Sequence, residues 1–452
     1  MIFDVLKNTA DKFPNKVFLK EVKREVTYVQ IRDMAISVAK DLPSSGRVYF
    51  YHRDGVELFA FLFAANLRGL EICLLNRQEG VSEAQNKINS LGGGGYVVTD
   101  FLGEGLNCMC RPKCESIGGG VLHRGGDSGL IIYTTGTTGA PKAVSYSWNR
   151  LLSQVRLSES EKHANWLLAY PLNHFAGVQM FVHALCNGAA LTIPQGRGVS
   201  DVLSAFRGCA VSAISATPTF WRMFLGRLSD ADKVDLRDTL KRITLGGEAA
   251  TEDILARLRT IFPLASITHV YATTELGSCF SVKDGYPGFP TEYLNRKVGH
   301  VELKIVNSEL FVKTEKSMNG YLGERERPDV LAGGWVGTGD LVEISGERVF
   351  FLGRKSEAFN VGGIKVFPPK VEAVILGVAG VETVRVYARK NPITGLVVAA
   401  EVQVLPGFDH GSVLRSIKQQ CRAQLGRYEQ PISISLVPSI ERANEKIVRR
   451  NL

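Results

Sequence analysis

The sequence lacks a long hydrophobic segment. Its longest stretch dominated by apolar residues, positions 58–67, has ten residues and ends at Arg68, whereas a membrane-spanning helix needs about twenty. The first residues, from Met1 to Asp4, show no basic segment followed by an apolar one, which is the pattern of a secretory signal. We therefore expect no membrane span, no signal peptide and a cytoplasmic location.

Cysteine is also scarce, with eight residues in a chain of 452. This number does not make a disulfide framework and favours a reduced cytosolic setting. One cluster, formed by Cys108, Cys110, Cys114 and His123, could supply ligands for zinc. Its spacing matches no common zinc finger or ribbon and the segment is rich in glycine, so a loop that happens to contain several cysteines is the favoured interpretation.

The sequence has no compact run of lysine and arginine and no aromatic-rich RNA-binding pattern, so we expect no nucleic-acid partner. Its positive charge is nevertheless uneven. The net charge is +9, and residues 353–452 contain 15 Lys and Arg against 8 Asp and Glu, which leaves +2 for the first 352 residues. The electrostatic field of such a basic segment can attract a polyphosphate ligand. A phosphate-bearing small molecule is our preferred interpretation, and a solvated basic surface is the alternative.

The apolar residues follow a pattern that predicts an α/β fold. Short apolar runs alternate with longer amphipathic stretches and no internal repeat is visible. Residues 298–344 contain short alternating strands broken by glycine and asparagine, which predicts a small β-rich subdomain. The hydrophobic pattern changes again near residue 353, where the net charge of the sequence also changes. We predict a large N-terminal domain of α/β subdomains plus the β-rich subdomain, residues 1–353, and an α+β C-terminal domain, residues 354–452.

A segment dense in phosphate-binding groups follows the apolar run at residues 130–132. Residues 133–142 read Tyr-Thr-Thr-Gly-Thr-Thr-Gly-Ala-Pro-Lys. Hydroxyl donors, glycines that let backbone N–H groups turn inward and a lysine together make a cradle for phosphate oxygens. The Gly-Lys-Ser/Thr ending of a Walker loop is absent, and a surface turn is the less favoured alternative. The candidate residues are Thr134, Thr135, Gly136, Thr137, Thr138, Gly139 and Lys142.

Three shorter segments point to the same kind of ligand, although each alone is weak. Gly246 and Gly247 would let a flat ring lie against the backbone, but such turns are common. Thr274 beside Glu275 suits a phosphate whose charge is shared with Mg²⁺, or else an ordinary turn after a strand. Asp340 on a glycine turn could accept both hydroxyls of a ribose, or could hold its own turn.

Taken in order with residues 353–372 and 444–450, these segments resemble the adenylate-forming superfamily of acyl- and aryl-CoA synthetases, luciferases and peptide-synthetase adenylation domains. The resemblance covers residues 130–450, and upstream it is limited to residues 26–28 before an amphipathic helix. It implies ATP, Mg²⁺ and coenzyme A as ligands. It also implies two half-reactions, in which a carboxylic acid becomes acyl-AMP with release of pyrophosphate and a thiol then displaces AMP.

The resemblance implies the following ATP-binding residues besides the loop at 134–142: Gly246, Gly247, Glu248, Tyr271, Ala272, Thr273, Thr274, Asp340 and Arg354. The residues at 246–248 would flank adenine. Thr274 would contact the α-phosphate and Glu275 would bind the metal. Asp340 and Arg354 would hold the ribose.

The C-terminal domain of this family is mobile, and the resemblance assigns it four residues. Lys446 would be the catalytic lysine that bridges the carboxylate, the α-phosphate and the ribose. Gly362 and Gly363 would line the tunnel for the pantetheine arm of CoA. Ser356 would be the hinge about which the domain turns between the half-reactions, at a position where Asp or Lys is usual. The lysine segment also departs from the family pattern, because Glu445 stands where Gly is usual.

The acid-binding residues that the resemblance implies are His174, Phe175, Ala176, Thr217, Phe220, Thr244, Ala272 and Ser278. His174, which with Thr274 and Lys446 completes the candidate catalytic set, would be a gate between acid and thiol. Ala272 replaces a usual Gly. The bulk of Phe175, Phe220 and Ala272 suggests a closed pocket for an aromatic or short acid, and the chain is similar in length to o-succinylbenzoate–CoA ligases.

Two alternatives stay open. The acceptor of the acyl group could be the phosphopantetheine of a carrier protein, since the basic C-terminal domain suits an acidic carrier as well as anionic CoA. The chain could also be a non-catalytic nucleotide-binding protein of the same fold, which the altered segment before Lys446 weakly favours. The identity of the acid and the oligomeric state are open as well.

Overall fold

Strands and helices alternate through the first third of the chain. The computed structural model describes residues 1–100, 115–117, 129–134, 142–322, 330–331, 333–391, 395–440, 442–443 and 446–447. The elements up to residue 147 are α1 (Ile2–Lys12), β1 (Val17–Glu21), β2 (Arg24–Thr27), α2 (Tyr28–Ala39), β3 (Arg47–Tyr51), α3 (Val56–Leu67), β4 (Glu71–Leu74), α4 (Val81–Ser90), β5 (Gly95–Thr99), β6 (Glu115–Ile117), β7 (Gly129–Tyr133) and β8 (Ala143–Ser147).

The same alternation continues up to β13, and strands dominate afterwards. The elements of this part are α5 (Trp148–Ser153), β9 (Asn165–Leu168), α6 (Phe175–Asn187), β10 (Ala190–Thr192), α7 (Val199–Gly208), β11 (Ala213–Ala216), α8 (Pro218–Gly226), α9 (Asp230–Asp235), β12 (Arg242–Gly246), α10 (Glu252–Ile261), β13 (Ser266–Thr273), β14 (Gly277–Val282), β15 (Phe289–Pro290), β16 (Val301–Val306), β17 (Glu309–Thr314), β18 (Gly320–Leu322), β19 (Val330–Leu331), β20 (Trp335–Ser345) and β21 (Arg348–Arg354).

The last hundred residues return to a mixture of strands and helices. Their elements are β22 (Phe359–Val361), β23 (Ile364–Val366), α11 (Pro368–Leu376), β24 (Val381–Asn391), β25 (Gly395–Val404), α12 (His410–Gln424), β26 (Ser433–Leu436), β27 (Arg442–Ala443) and β28 (Lys446–Ile447). Within the described parts of this segment, β24, β25 and β26 form a three-stranded sheet. That sheet packs with α11 and α12 around a hydrophobic cluster of its own, made chiefly of valine and isoleucine.

Two mixed sheets dominate the larger part of the chain. The first has the order β14-β13-β12-β11-β9-β10-β1-β2, and its strands from β13 to β1 run parallel. The second has the order β18-β8-β7-β4-β3-β5-β6, with β7, β4, β3 and β5 parallel. Because the parallel strands of one sheet end at the same edge, the loops that follow them converge there, which is where open α/β sheets bind ligands.

Helices buried between these sheets explain why the two sheets form one unit. Nearly every side chain of α3 is buried, as expected of a helix that is apolar on all sides. It shares one hydrophobic cluster with α1, α2, α6 and strands from both sheets. The buried Asn66 is satisfied by the backbone N–H of Phe3, which donates to its Oδ1 at 3.1 Å. The predicted α/β class is therefore confirmed.

The predicted β-rich subdomain is present and extends to Arg354. Strands β15, β21, β20, β17 and β16 form an antiparallel sheet in that order, with β19 paired to β20. A separate hydrophobic cluster fills the space between this sheet and β14. No helix among the described residues is long and apolar enough to cross a membrane.

Candidate active site

A cavity of about 1760 Å³ lies where the parallel strands β9, β11, β12 and β13 end, and it extends to β20, β21 and α11. Most of the described residues that the sequence singled out line this cavity. They are Thr134, Lys142, His174, Phe175, Ala176, Thr217, Thr244, Gly246, Gly247, Glu248, Tyr271, Ala272, Thr273, Thr274, Glu275, Ser278, Asp340, Arg354 and Ser356. Residues that are up to 222 positions apart are thus brought to one site by the strand order.

Phe220 is not among the residues that line the cavity, contrary to its assignment as an acid-pocket wall. Its side chain is 1% exposed and stacks on Phe224 with ring centroids 5.9 Å apart. Thr217 explains the orientation, because its hydroxyl caps α8 by accepting from the N–H of Phe220 at 3.0 Å. The first turn of α8 therefore directs Phe220 into the hydrophobic core. Of the three side chains from which a closed pocket was inferred, only Phe175 and Ala272 line the cavity.

Gly362 and Gly363 also lie outside the lining of the cavity. They form the exposed turn between β22 and β23, with φ of 56° and 84°. Such positive φ values favour glycine over any residue with a Cβ. In this structure the two glycines hold a tight turn away from the cavity.

Several predicted site residues fall outside the described residues. They are Thr135, Gly136, Thr137, Thr138 and Gly139 of the phosphate loop, and Cys108, Cys110, Cys114 and His123 of the candidate metal cluster. The stem of the loop is described: the N–H of Thr134 donates to the carbonyl of Lys142 at 2.8 Å. This bond closes a hairpin between β7 and β8, so the two ends of the loop are held together at the cavity. For Lys446 only the backbone is described, paired with Ala443.

Asp340 and Arg354 face each other across β20 and β21 and form an ion pair with Nε and Oδ1 2.9 Å apart. The Tyr271 hydroxyl donates to the second oxygen of Asp340 at 2.5 Å. Burial, followed by the charge of Asp340, holds the pKa of Tyr271 well above its ordinary value, so the tyrosine is neutral and acts as a donor. The carboxylate is thereby fixed in one orientation on the cavity wall.

The ring of Tyr271 contacts two other aromatic rings. It stacks with Phe280, at a centroid distance of 5.2 Å, and with Phe351, at 5.1 Å. Tyr271 lines the cavity, so its place among the ATP-binding residues stays a prediction, and its hydroxyl orients Asp340. The left-handed Gly247, with φ of 79°, forms the turn beside which a flat ring could lie.

Glu248 faces away from that turn and towards the start of α8. Its Oε2 accepts from the backbone N–H of Thr219 at 3.0 Å and from the hydroxyl of the same residue at 2.7 Å. A carboxylate at a helix N-terminus is favoured by the helix dipole. Glu248 therefore anchors the Gly246–Gly247 turn to α8.

Glu275 is held by residues that the sequence did not single out. The Tyr321 hydroxyl donates to its Oε1 at 3.0 Å, and the Tyr146 hydroxyl donates to the carbonyl of Thr274 at 2.5 Å. The Lys142 ammonium lies 5.2 Å from the centre of the Tyr321 ring. Tyr321 thus links the stem of the phosphate loop to the candidate metal ligand. The described residues contain no cluster of three or more His, Cys, Asp or Glu side chains that could hold a metal ion.

Three of the acid-binding candidates, His174, Phe175 and Ala176, lie at the start of α6. His174 is the N-cap residue of this helix, and Gly177 allows its first turn to approach the preceding loop, since a Cβ at this position would lie 2.1 Å from the carbonyl oxygen of Pro171. Gln179 also lines the cavity and donates to Gln154 Oε1 at 3.2 Å. No sequence motif marks Gln154 or Gln179, because a lone glutamine on a helix or at its end belongs to no motif.

The cavity continues along α6 to the opposite ends of the strands. Arg242, the first residue of β12, pairs with the buried Glu161 at 2.9 Å, and Trp166 Nε1 donates to the same carboxylate at 3.0 Å. Burial raises the pKa of Glu161, but the contacts from His183 and Trp166 outweigh it, so that the pKa is lowered. This far end of the cavity is therefore polar and charged, and no sequence motif marks it.

Comparison with known families gives two matches, one after the other along the chain. The family described as "AMP-binding enzyme" matches residues 123–322. The family described as "AMP-binding enzyme C-terminal domain" matches residues 370–445. Together the two matches cover more than half of the chain.

Curated proteins and solved structures of similar sequence or fold cover nearly all of it. The 2-succinylbenzoate–CoA ligase of Geobacillus sp. (strain WCH70) is 24% identical over 97% of this chain and 94% of that protein. The o-succinylbenzoate CoA synthetase of Bacillus subtilis, in complex with an acyl-adenylate intermediate, has a TM-score of 0.77 at 22% identity, over 98% of this chain and 96% of that one. An anthranilate CoA ligase in complex with anthranoyl-AMP has a TM-score of 0.82 at 18% identity, over 99% and 95%.

Proposed function

Because the chain belongs to the family of AMP-binding enzymes, we propose that it is an AMP-forming acid:CoA ligase whose acid is aromatic. The observation that carries this proposal is the convergence of Asp340, Arg354, Thr274, Glu275 and His174 on one cavity. The relatives named above are CoA ligases of aromatic acids, which favours free CoA over a carrier protein as acceptor. It also disfavours a non-catalytic role.

The two parts of the chain would have different roles in the reaction. Residues 1–353, which we call the body, would bind ATP and the acid, and residues 354–452, which we call the cap, would bring Lys446 and later the Gly362–Gly363 turn to the cavity. Ser356, just after β21, would be the hinge. Its place on the cavity wall and the separate hydrophobic cluster of the cap support this division.

In the first half-reaction a carboxylate oxygen of the acid attacks the α-phosphorus of ATP. The bond from that phosphorus to the oxygen of the β-phosphate breaks, and pyrophosphate leaves with the electron pair. Such a displacement needs positioning and charge neutralisation by the protein. Lys142 at the loop stem, Thr274 at the end of β13 and the Asp340–Arg354 pair would position the nucleotide, and Lys446 would neutralise charge at the α-phosphate.

In the second half-reaction the thiolate of CoA attacks the acyl carbonyl carbon, and the bond to the phosphate oxygen breaks to release AMP. His174, at the start of α6, lines the same cavity as Thr274 and Asp340, which supports its role as a gate. Gln179 and the charged group at Arg242 would contact the acid further along α6.

Mg²⁺ is the metal that family membership implies, and the residues present fit it. Mg²⁺ bound with a nucleotide takes one or two carboxylates together with phosphate oxygens and waters, and Glu275 offers one carboxylate in the cavity. Glu275 would hold the ion, while Tyr321 fixes the carboxylate. When bound, Mg²⁺ supplies neutralisation of phosphate charge.

The proposed function is tested by two assays on the purified protein. We expect ATP–pyrophosphate exchange with one or more acids from a panel of aromatic, short-chain and dicarboxylic acids, and CoA thioester in a coupled assay with the same acid. Exchange without thioester would indicate a carrier-protein acceptor. Absence of exchange with every acid would contradict the proposal.

We also propose a cytoplasmic location, which the free cysteines at positions 73, 186, 209, 279 and 421 support.

Glu275→Gln should raise the Mg²⁺ concentration needed for half-maximal pyrophosphate exchange by about tenfold or more, because the only carboxylate proposed to bind the ion loses its charge. Tyr321→Phe removes only the hydrogen bond that orients this carboxylate and should produce a smaller shift. The exposed Glu292→Gln is the control. If Glu275→Gln has the Mg²⁺ requirement of the unaltered protein, the metal assignment is wrong.

A further inference from the structure

A buried carboxylate of the cap is paired with an arginine of the body. Arg227 follows the last residue of α8, and Glu382 is the second residue of β24. Their Nη1 and Oε1 atoms are 2.9 Å apart, and the side chain of Glu382 is 5% exposed whereas that of Arg227 is 41% exposed. The other oxygen of Glu382 accepts from Gln403 Nε2 at 2.7 Å. Both oxygens of a carboxylate shielded from water are thus used, one within the cap and one across to the body.

An apolar contact lies beside this ion pair. Gly226, the last residue of α8, faces Leu405, which follows β25 in the cap. A Cβ built at position 226 would lie 3.2 Å from Leu405 Cδ2, so the backbone of α8 approaches the cap closely. The end of α8 is therefore a docking point for the cap that lies far along the chain from the hinge at Ser356.

The orientation of the cap in this structure does not suit the second of the two proposed half-reactions. Pro369 and Lys370 of α11 line the cavity together with Glu382. The Gly362–Gly363 turn is exposed and does not line it. If that turn is to guide the thiol arm, the cap has to rotate, and contacts formed in the present orientation have to break.

We infer that Arg227 and Glu382 form a latch that holds the cap in the orientation for adenylation and must open before thioester formation. This inference rests on the proposed function. Opening the latch separates Glu382 from its partner, and an unpaired buried carboxylate is unfavourable, so the pair biases the cap towards the closed-latch orientation. Arg227 and Glu382 are positioning residues, since neither is placed at the reacting atoms.

The test compares the two half-reactions in Glu382→Gln and Arg227→Ala. The adenylation rate, measured by pyrophosphate exchange, should fall about three- to tenfold, as expected of a partly exposed ion pair. Thioester formation from supplied acyl-adenylate should be unchanged or faster. Arg227→Lys should restore much of the adenylation rate. An equal fall in both rates, or no change in either, would overturn the inference.

Glu401→Gln is the matched control. Glu401 pairs with Arg385 at 2.5 Å between β24 and β25, so it belongs to the same sheet of the cap but does not reach the body. It should lower the melting temperature of the protein without changing the ratio of the two half-reaction rates. A changed ratio in Glu401→Gln would mean that general weakening of the cap, and not the latch, controls the ratio.

Limited trypsin digestion tests the latch without an activity measurement. The hinge offers cleavage sites at Arg354 and Lys355, and the latter side chain is 62% exposed. Cleavage there should be several times faster in Glu382→Gln than in the unaltered protein and in Glu401→Gln. Equal cleavage rates in all three would overturn the latch. If the unaltered protein makes no acyl-adenylate, the proposed function fails, and the trypsin comparison still decides whether Glu382 holds the cap.

Discussion

Replacing Asp340 with alanine should raise the KM for ATP in pyrophosphate exchange by about 10- to 100-fold. Hydrogen bonds to a charged group are worth about 1.5–3 kcal/mol, and each 1.36 kcal/mol is tenfold, so loss of a carboxylate that accepts from a ribose diol accounts for this range. The KM for the acid should change much less, because its proposed binding residues His174, Phe175 and Ala176 lie at the start of α6. An unchanged affinity for ATP would refute the ribose assignment.

Two variants separate ribose binding from structural damage. Asp340→Ala also removes the partner of Arg354, which lies 2.9 Å away, so some loss of stability is expected in any case. Asp284→Ala breaks a comparable ion pair with Arg348, at 2.8 Å, outside the cavity lining. It should lower the melting temperature while the KM for ATP stays the same. Asp340→Asn keeps the shape of the side chain and should still raise this KM, since the charge is lost.

Local signals made much of the fold predictable. The apolar run at residues 266–271 predicts the strand observed as β13, and the amphipathic stretch at 251–261 predicts α10 within one residue. The helix buries Ile254, Leu255 and Leu258, which have the spacing of one helix face. The same holds for the site residues at strand ends: once the strands are placed, the parallel topology brings their following loops to one edge.

Orientations set by contacts between distant segments could not be predicted in this way. The resemblance implies Phe220 as an acid-pocket residue, but α8 is buried on nearly all sides, so its hydrophobic pattern does not show which side chains face the cavity. The stacking of Tyr271 on Phe351, eighty positions away, has no local signal either. Tyr321, Gln154 and Glu161 gave no sequence signal at all, because each acts through one long-range contact.

These long-range contacts share a physical role at the site. Tyr271 holds Asp340, Tyr321 holds Glu275, and Thr219 holds Glu248, so each of three carboxylates on the cavity wall accepts from a hydroxyl. A carboxylate with a fixed orientation does not have to be reorganised when the charged nucleotide arrives. The carboxylates would supply the charge, and the hydroxyls of Tyr271, Tyr321 and Thr219 would supply the preorganisation.

Lys446→Ala should lower the adenylation rate about 10²- to 10³-fold, the loss expected when one preorganised donor to the developing charge is removed. Thioester formation from supplied acyl-adenylate should stay within about twofold, because by then the α-phosphate no longer expels pyrophosphate. Both rates are measured on the same preparation, with pyrophosphate exchange for the first and CoA thioester for the second. The exposed Lys418→Ala on α12 is the control for loss of positive charge from the cap. An equal fall in both half-reactions would show that residue 446 supports the cap as a whole, and the lysine of adenylation would then have to be sought elsewhere in the basic C-terminal segment.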